Sequence, residues 1–224
     1  MKLSSDTLAI LKNFASINPN IVFKTDNTLR SISEAKTIMV KSQIAETFSQ
    51  EFGIYDLNEF LSVYSLMDDA DLELTDSYIN IKGDRNQKIK YFYSEVRILT
   101  QPSKDIVMPS CEFTIVLTDN ILNQIRKVAS VLGHNQLSLR GNNGQVVAVI
   151  MDSKDATANT YEIELDTDNA CKESFDFVVS IPNLKLLAGD YKVDISSKLI
   201  SNWKNQNNDV EYFIALEKTS SYGV

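Results

Sequence analysis

The sequence predicts an α+β chain of two similar domains, each with two helices packed on an antiparallel sheet. Three observations predict it: a self-match at half length, helical spacing at the start of each matched half, and short runs of period-two alternation behind each helix. Sliding the 224-residue chain along itself by 114 places Leu3-Ser4-Ser5-Asp6 on Leu117-Thr118-Asp119-Asn120. The same offset places Leu11-Lys12-Asn13-Phe14-Ala15-Ser16-Ile17 on Ile125-Arg126-Lys127-Val128-Ala129-Ser130-Val131. Self-similarity at a fixed period marks a duplicated structural unit.

Each matched segment opens with residues suited to an N-cap and continues as an amphipathic helix. At 100° per residue, Leu3, Ile10, Phe14 and Ile17 form one apolar stripe flanked by Leu8, Leu11 and Ala15, the pattern of a helix lying on a sheet. The second segment repeats it with Ile121, Leu122, Ile125, Val128, Ala129, Val131 and Leu132, and Gly133 supplies the C-terminal stop. Behind the first helix, alternation predicts strands near 21–24, 37–44, 47–55, 72–75, 79–82 and 88–93. Behind the second it predicts strands near 136–140, 145–151, 160–165, 174–179, 191–196 and 210–217. A further helix interrupts each set. Asp56 caps one that runs from Leu57 to about Met67, and Ser180 precedes a shorter one, Ile181-Pro182-Asn183-Leu184-Lys185-Leu186-Leu187, stopped by Gly189. Pro102, Ser103, Lys104 and Pro109 mark an extended connector over about 100–110, so the domains are expected at 1–105 and 111–224.

Composition limits what such a chain does. No apolar run approaches the ~20 residues of a membrane span, and the start of the chain has no apolar stretch behind a basic segment, so a cytoplasmic protein without membrane partners is expected. Cys111 and Cys171 lack the paired spacing of a metal or redox site and are expected as free thiols. A formal charge of −8 excludes a protein that coats nucleic acid broadly, because that affinity comes from Lys and Arg neutralising phosphates. Any nucleic-acid contact must be local.

The polar faces of the two matched helices are where such a contact would form. One carries Lys2, Ser5, Ala9, Lys12, Asn13 and Ser16, and the other Asp119, Asn123, Arg126, Lys127 and Ser130. Past their opening residues neither face has an acid, in a chain with 30 acidic residues. A face serving only solubility would mix both signs; the same pattern also fits an ordinary solvated helix face. A helix of ~12 residues is ~18 Å long and lies beside about ten duplex phosphate charges. Lys2, Lys12, Arg126, Lys127 and Lys185 of one copy do not balance that number, whereas several copies around a duplex would.

Enzyme readings have little to stand on. No glycine-rich phosphate loop occurs: Gly141 and Gly144 flank Asn142-Asn143 as in a hairpin turn. His134, the single histidine, stands just after a helix. The strongest enzyme alternative is the acidic group Asp68, Asp69, Asp71 and Glu73, which could hold Mg²⁺ for a phosphodiesterase. Its position between a helix and a strand, with no Lys or His close in sequence, fits surface turn carboxylates better. Glu162 and Glu164 alternate with Tyr161, Ile163 and Leu165 as the outer face of a half-buried strand. No catalytic residue, metal or cofactor is expected. A non-DNA interaction module with the same fold is the other alternative.

Several segments resemble the T-even-type bacteriophage sliding clamp, the DNA polymerase processivity factor. They are Met1-Lys2-Leu3-Ser4 through Ile17-Asn18, Ile54-Tyr55-Asp56-Leu57-Asn58-Glu59-Phe60-Leu61 with Ser65-Leu66-Met67-Asp68-Asp69-Ala70, Asn183-Leu184-Lys185-Leu186-Leu187-Ala188-Gly189-Asp190-Tyr191-Lys192, and Tyr212-Phe213-Ile214-Ala215-Leu216-Glu217. They follow the family's order and about its spacing, while 24–50, 76–110 and 141–172 match poorly. The resemblance implies the DNA-clamp fold assembled as a closed homotrimeric ring, with helices lining the hole around sequence-independent duplex DNA. It also implies a replicative DNA polymerase held on the ring, an ATP-driven clamp loader, late transcription factors as further partners, and the cytoplasm of an infected bacterial host. Carried onto this sequence, the DNA-facing positions are Lys2, Lys12, Asn13, Asn123, Arg126, Lys127 and Lys185; Ser5 stands where the family pattern expects a lysine. A groove for partner peptides would be edged by Ile106, Val107, Met108 and Pro109, with Tyr212 and Ile214 as its floor. The same stretch also reads as a tethered linker over core residues.

Overall fold

The computed structural model describes residues 1–84, 86–142, 144–155, 157–166 and 173–223. The chain divides into two compact units, Met1–Asp105 and Ile106–Val224.

The first unit opens with α1 (Ser5–Ile17) and β1 (Ile21–Phe23), followed by β2 (Thr28–Ile32), β3 (Ile38–Gln43), β4 (Phe52–Ile54) and α2 (Leu57–Ser65). Three strands close it, β5 (Asp71–Leu74), β6 (Tyr78–Lys82) and β7 (Lys88–Phe92), before a 3-10 turn at Val96–Ile98. Strand pairing within the unit is antiparallel: β1 with β4, β2 with β3, and a meander β5-β6-β7. Its core is aromatic on one side, where Phe23 stacks on Phe52 at 4.7 Å and meets the edge of Phe48 at 4.8 Å.

The second unit holds β8 (Phe113–Leu117), α3 (Asp119–Leu132), β9 (Gln136–Asn142), β10 (Gln145–Met151), β11 (Tyr161–Leu165) and β12 (Phe175–Ser180). After a 3-10 turn at Ile181–Asn183 come β13 (Tyr191–Ser196), β14 (Ile200–Asn205), β15 (Val210–Ala215) and β16 (Ser221–Tyr222). One sheet has the order β11-β10-β9-β12-β16, and a second runs β15-β14-β13-β8 within this unit. Gly141 on β9 lets the Phe175 ring lie against the backbone, for a Cβ there would stand 2.1 Å from that ring.

The self-match is visible in the caps. Ser4 and Thr118, 114 residues apart, are the N-caps of α1 and α3, accepting hydrogen bonds from the amides of Thr7 and Ile121. Gly133 ends α3 in the left-handed conformation at φ 74°. The segment before each helix is also held by backbone hydrogen bonds: β8 precedes α3, with Leu117 paired to Tyr191, and before α1 the backbone of Met1 exchanges two hydrogen bonds with Leu72.

Three differences from the sequence reading have physical causes. The segment 181–187 does not form a helix; Pro182 begins a single 3-10 turn and Leu184 leaves helical geometry at ψ 52°. Of the stretch 47–55 only Phe52–Ile54 is strand, because Glu46 turns inward to hydrogen-bond α1. Strand β14 lacks an apolar alternation, since Ser201 and Asn202 are fully buried; Ser201 donates to the Ile214 carbonyl and Asn202 Nδ2 to that of Tyr212, which offsets the burial of these donors, while Asn202 Oδ1 has no partner among the described residues. Strands β2, β8 and β16 also form where no strand is expected from alternation. Asn142 and Gln145 face each other across the β9–β10 hairpin.

Candidate nucleic-acid interface

The polar faces of α1 and α3 are set by what their opposite faces bury. On α1, Leu11 and Phe14 have no exposed surface, and Thr7, Ile10, Ala15 and Ile17 are buried. This rotation leaves Ser5, Ala9, Lys12 and Ser16 exposed and Asn13 half-buried. On α3 only Leu122, Ile125 and Ala129 are buried, leaving Asn120, Asn123, Lys127 and Ser130 exposed. Val131, expected in the apolar stripe, is 79% exposed, and Val128 and Leu132 are half-buried. Together they line a groove of about 620 Å³ shared with Tyr161 of β11.

A carboxylate distant in sequence holds the N-terminus of each helix. Glu46 accepts from the Ser4 amide and the Thr7 hydroxyl, both at 2.5 Å. Burial alone would push this carboxyl up, but the bonds from Thr7 and Ser4 outweigh it and hold Glu46 below the ordinary value of 4.5. On α3, Asp190 accepts from the Asp119 amide at 2.8 Å, and Asp119 in turn accepts from the Gly189 amide at 3.0 Å. Negative charge at a helix N-terminus also offsets its positive dipole end. Neither anchor has a local signal: Glu46 lies 42 residues from Ser4, and Asp190 lies 71 from Asp119.

The predicted cations differ in how freely they are presented. Lys12 and Lys127 are exposed. Arg126 is half-buried, its guanidinium donating to Asn123 Oδ1 at 3.2 Å and to the Leu184 carbonyl at 3.3 Å. That second bond brings the segment carrying exposed Lys185 against α3. Asn123 donates to Asp119, so Asp119, Asn123 and Arg126 form one chain of hydrogen bonds along the helix. Lys2 is bound to Asp69, whose hydrogen bond holds the ammonium pKa above its ordinary value; its charge is neutralised locally.

In the connector, Ile106 and Met108 are half-buried, Val107 is 86% exposed and Pro109 is exposed. Tyr212 and Ile214, read from the sequence as a groove floor, have no exposed surface. Tyr212 instead accepts from the Leu187 amide at 2.9 Å and packs on Tyr191 at 6.0 Å, so both are core residues of the second unit. The acidic group is dispersed. Asp71 binds the N-terminal ammonium at 2.7 Å, Asp69 binds Lys2, and Glu73 binds Lys82 at 3.1 Å and Asn80 at 2.8 Å. Among the described residues no group of three or more His, Cys, Asp or Glu is arranged to hold a metal. His134 Nε2 lies 2.6 Å from the Asn159 carbonyl, and Cys111 is an exposed free thiol. Cys171 lies outside the described residues.

Two family models divide the chain as the fold does. One, described as DNA polymerase processivity factor, matches residues 4–106, and one described as gp45 sliding clamp, C terminal, matches residues 114–218. The sliding clamp of Escherichia phage RB69 is 30% identical, covering 99% of both chains. This chain belongs to the phage sliding-clamp family. The Vibrio phage KVP40 clamp is 29% identical over 97% of this chain and 99% of its own. Among solved structures, the clamp superposes on A. fulgidus PCNA with a TM-score of 0.70 at 13% identity, covering 96% of each chain. The H. pylori beta clamp gives 0.69 at 15% identity, covering 95% of this chain and 61% of that one. At such identities these structures attest the DNA-clamp fold alone. A sliding clamp is a processivity factor and performs no catalysis, in keeping with carboxylates that hold the chain's own cations.

Proposed function

We propose that three copies of this chain close into a ring around duplex DNA, with α1 and α3 of each copy facing the phosphates, and tether the replicative polymerase. The observation that carries the reading is the duplicated helix. Two helices, 114 residues apart and capped alike, each present exposed cations between small polar residues with no acid past the first turn. Lys12 and Lys127 supply unengaged positive charge, Arg126, Asn13 and Asn123 supply a firmer polar surface, and Lys185 and Lys2 flank it. Spread over a ring, such a surface tracks phosphates without gripping any one of them. The charge of −8 per copy keeps the remaining surface from adhering to DNA.

An ATP-driven loader places the ring, and late transcription factors use it as a second client in the infected bacterial cytoplasm. Partner tails dock against the connector at Ile106, Val107, Met108 and Pro109, over the core residues Tyr212 and Ile214. The A. fulgidus PCNA structure, which carries the C-terminal region of FEN-1, supports tail binding as a mode open to this fold.

Light scattering over a concentration series tests the ring. A mass near three times 25.2 kDa that falls on dilution is expected; a monomer at every concentration sinks it. Replacing Lys12, Arg126 and Lys127 by Gln tests the DNA face. Retention on circular DNA and polymerase stimulation are expected to fall with the fold intact, and the salt dependence of DNA association should lessen by about one unit per lost phosphate contact. Unchanged retention and stimulation remove the assigned role.

A further inference from the structure

The C-terminal end of α3 bounds a small corner beside the polar face. Its walls are the last two turns of α3 and the 3-10 turn at Ile181–Asn183, and they enclose about 280 Å³ between Arg126, Ser130, His134, Asn135 and Pro182. The corner continues the polar face of the helix, because Arg126 and Ser130 belong to both. None of its described lining residues is acidic, whereas the groove at Tyr55, Lys90 and Phe92 carries Asp56 and Glu59.

Backbone bonds fix both walls. Gly133 turns the chain in the left-handed conformation, the His134 amide donates to the Ala129 carbonyl at 3.0 Å, and the Ile181 amide donates to the Asn135 carbonyl at 2.8 Å. From the helix, Arg126 reaches across to the Leu184 carbonyl at 3.3 Å. The imidazole is fixed as well. Its Nε2 lies 2.6 Å from the Asn159 carbonyl, and a carbonyl only accepts, so Nε2 carries hydrogen and Nδ1 is the atom left to take up a proton.

Among the described residues, three charges bear on the ring: the Arg126 guanidinium, the Asp155 carboxylate of the β10–β11 loop, and the partial negative charge at the carbonyl end of α3. Asp155 is held below the ordinary 3.8 first by the hydroxyl and amide of Thr157, with charge on His134 acting in the same direction. Asn135, Ile181 and Pro182 bring neutral groups only. His134 is the single histidine of the chain, and histidine is the side chain whose charge ordinarily changes between about pH 5 and pH 8. Protonation at Nδ1 adds a positive charge to a corner that otherwise holds one guanidinium, at the edge of the surface assigned to DNA.

We propose that this corner is a further seat for a backbone phosphate of the encircled duplex, with His134 as a pH-responsive contact beside Arg126 and Ser130. The seat deepens the ring reading and rests on it. A neutral ring presents Nδ1 as an acceptor, which a phosphate oxygen does not match; a charged ring presents an N–H and a positive charge. The Ser130 hydroxyl and the Asn135 side-chain amide supply neutral donors at either pH. DNA association therefore gains a phosphate contact as pH falls, on a chain with no other histidine to produce the change.

Duplex association of the full chain tests it, read as the anisotropy of a short fluorescent duplex at about pH 5.5 and about pH 7.5 over a salt series. The native chain is expected to bind about tenfold more tightly at the lower pH near ~0.1 M salt, with a salt slope steeper by about one unit. His134→Gln, which keeps a donor for the Asn159 carbonyl, is expected to bind alike at both values, and His134→Arg tightly at both. Thermal melting at each pH checks that the variants fold. Equal affinity of the native chain at both values, or a glutamine variant that keeps the native pH response, overturns the seat and leaves the ring standing. A native chain that ignores duplex at both values overturns the seat, and if light scattering also shows a monomer throughout, the ring reading falls with it. A parallel arm follows the ring Cε1–H resonance of the native chain, which belongs to His134 alone, while duplex or inorganic phosphate is added at constant ionic strength. A shift with duplex is expected; a shift with phosphate alone marks a site for free anions and overturns the DNA assignment.

Discussion

Helices α1 and α3 start at equivalent cap residues and carry matching patterns, yet they are buried to different depths. Phe14 and Ile17 of α1 are 0% and 6% exposed, whereas Val131, the counterpart of Ile17 in the self-match, is 79% exposed. The difference lies in the elements that flank each helix. In the first unit the chain after β3 turns back over the helix, with Glu46 bonded to Ser4 and Thr7 and with Ile44 and Phe48 buried. In the second unit the corresponding side of α3 meets the open strand β11, through a hydrogen bond from Gln124 to Tyr161. A duplicated helix thus serves as a sealed core element in one unit and retains an apolar flank in the other. The repeat conserves the direction of the polar face and leaves the apolar flank free to take another role.

Truncating the matched apolar pair breaks this comparison most directly. Phe14→Ala removes a side chain with no exposed surface and should cost about 3–5 kcal/mol, while Val128→Ala, half-buried, should cost about 1 kcal/mol or less. Guanidinium denaturation at equal protein concentration checks both, and equal losses would mean that the helices are sealed alike.

A smaller effect is expected at the α1 anchor. Glu46→Gln keeps an acceptor but loses the charge, and should lower stability by about 1 kcal/mol at neutral pH. Because the folded carboxyl is held below 4.5, its contribution is complete above the unfolded value and is lost as pH falls through the folded one. The variant should therefore lose less stability than the native chain on acidification below about pH 4.5; parallel acid curves, read by circular dichroism, would remove Glu46 from this role. The smallest change in monomer stability is expected from Val131→Ser, within about 0.5 kcal/mol because the side chain is already in solvent. The same variant should reduce association measurably, and a large melting shift in the monomer would show that the α3 flank is core after all.

Much of the fold was legible in local pattern. Helical spacing located α1, α2 and α3 and the exposure of Lys12, Asn123 and Lys127, because a 3.6-residue period puts the polar face opposite the buried one wherever the helix packs. Local pattern failed where a distant partner decides the outcome. The segment 181–187 reads as a short helix, but Leu184 departs from helical geometry and its carbonyl accepts from Arg126. Ser201 and Asn202 fall where no strand is expected from alternation, yet they are buried on β14, where their donors meet carbonyls of β15. Among the candidate site residues, Lys2 reads as a free cation until the fold brings Asp69 to it across 67 residues, and Tyr212 and Ile214 read as floor until the sheet encloses them.

The sequence by itself determined the duplication, which shows as a self-match at an offset of 114 residues, and the capped helices with their acid-free faces, which depend on residues within a few positions of one another. Only the tertiary structure decided which cations stay unengaged, which carboxylates anchor the helices, and which flank of α3 remains uncovered. Those outcomes depend on pairs such as Glu46 with Thr7 and Asp190 with Asp119, separated by 39 and 71 residues; their meeting is set by the packing of whole strands and leaves no periodic trace along the chain.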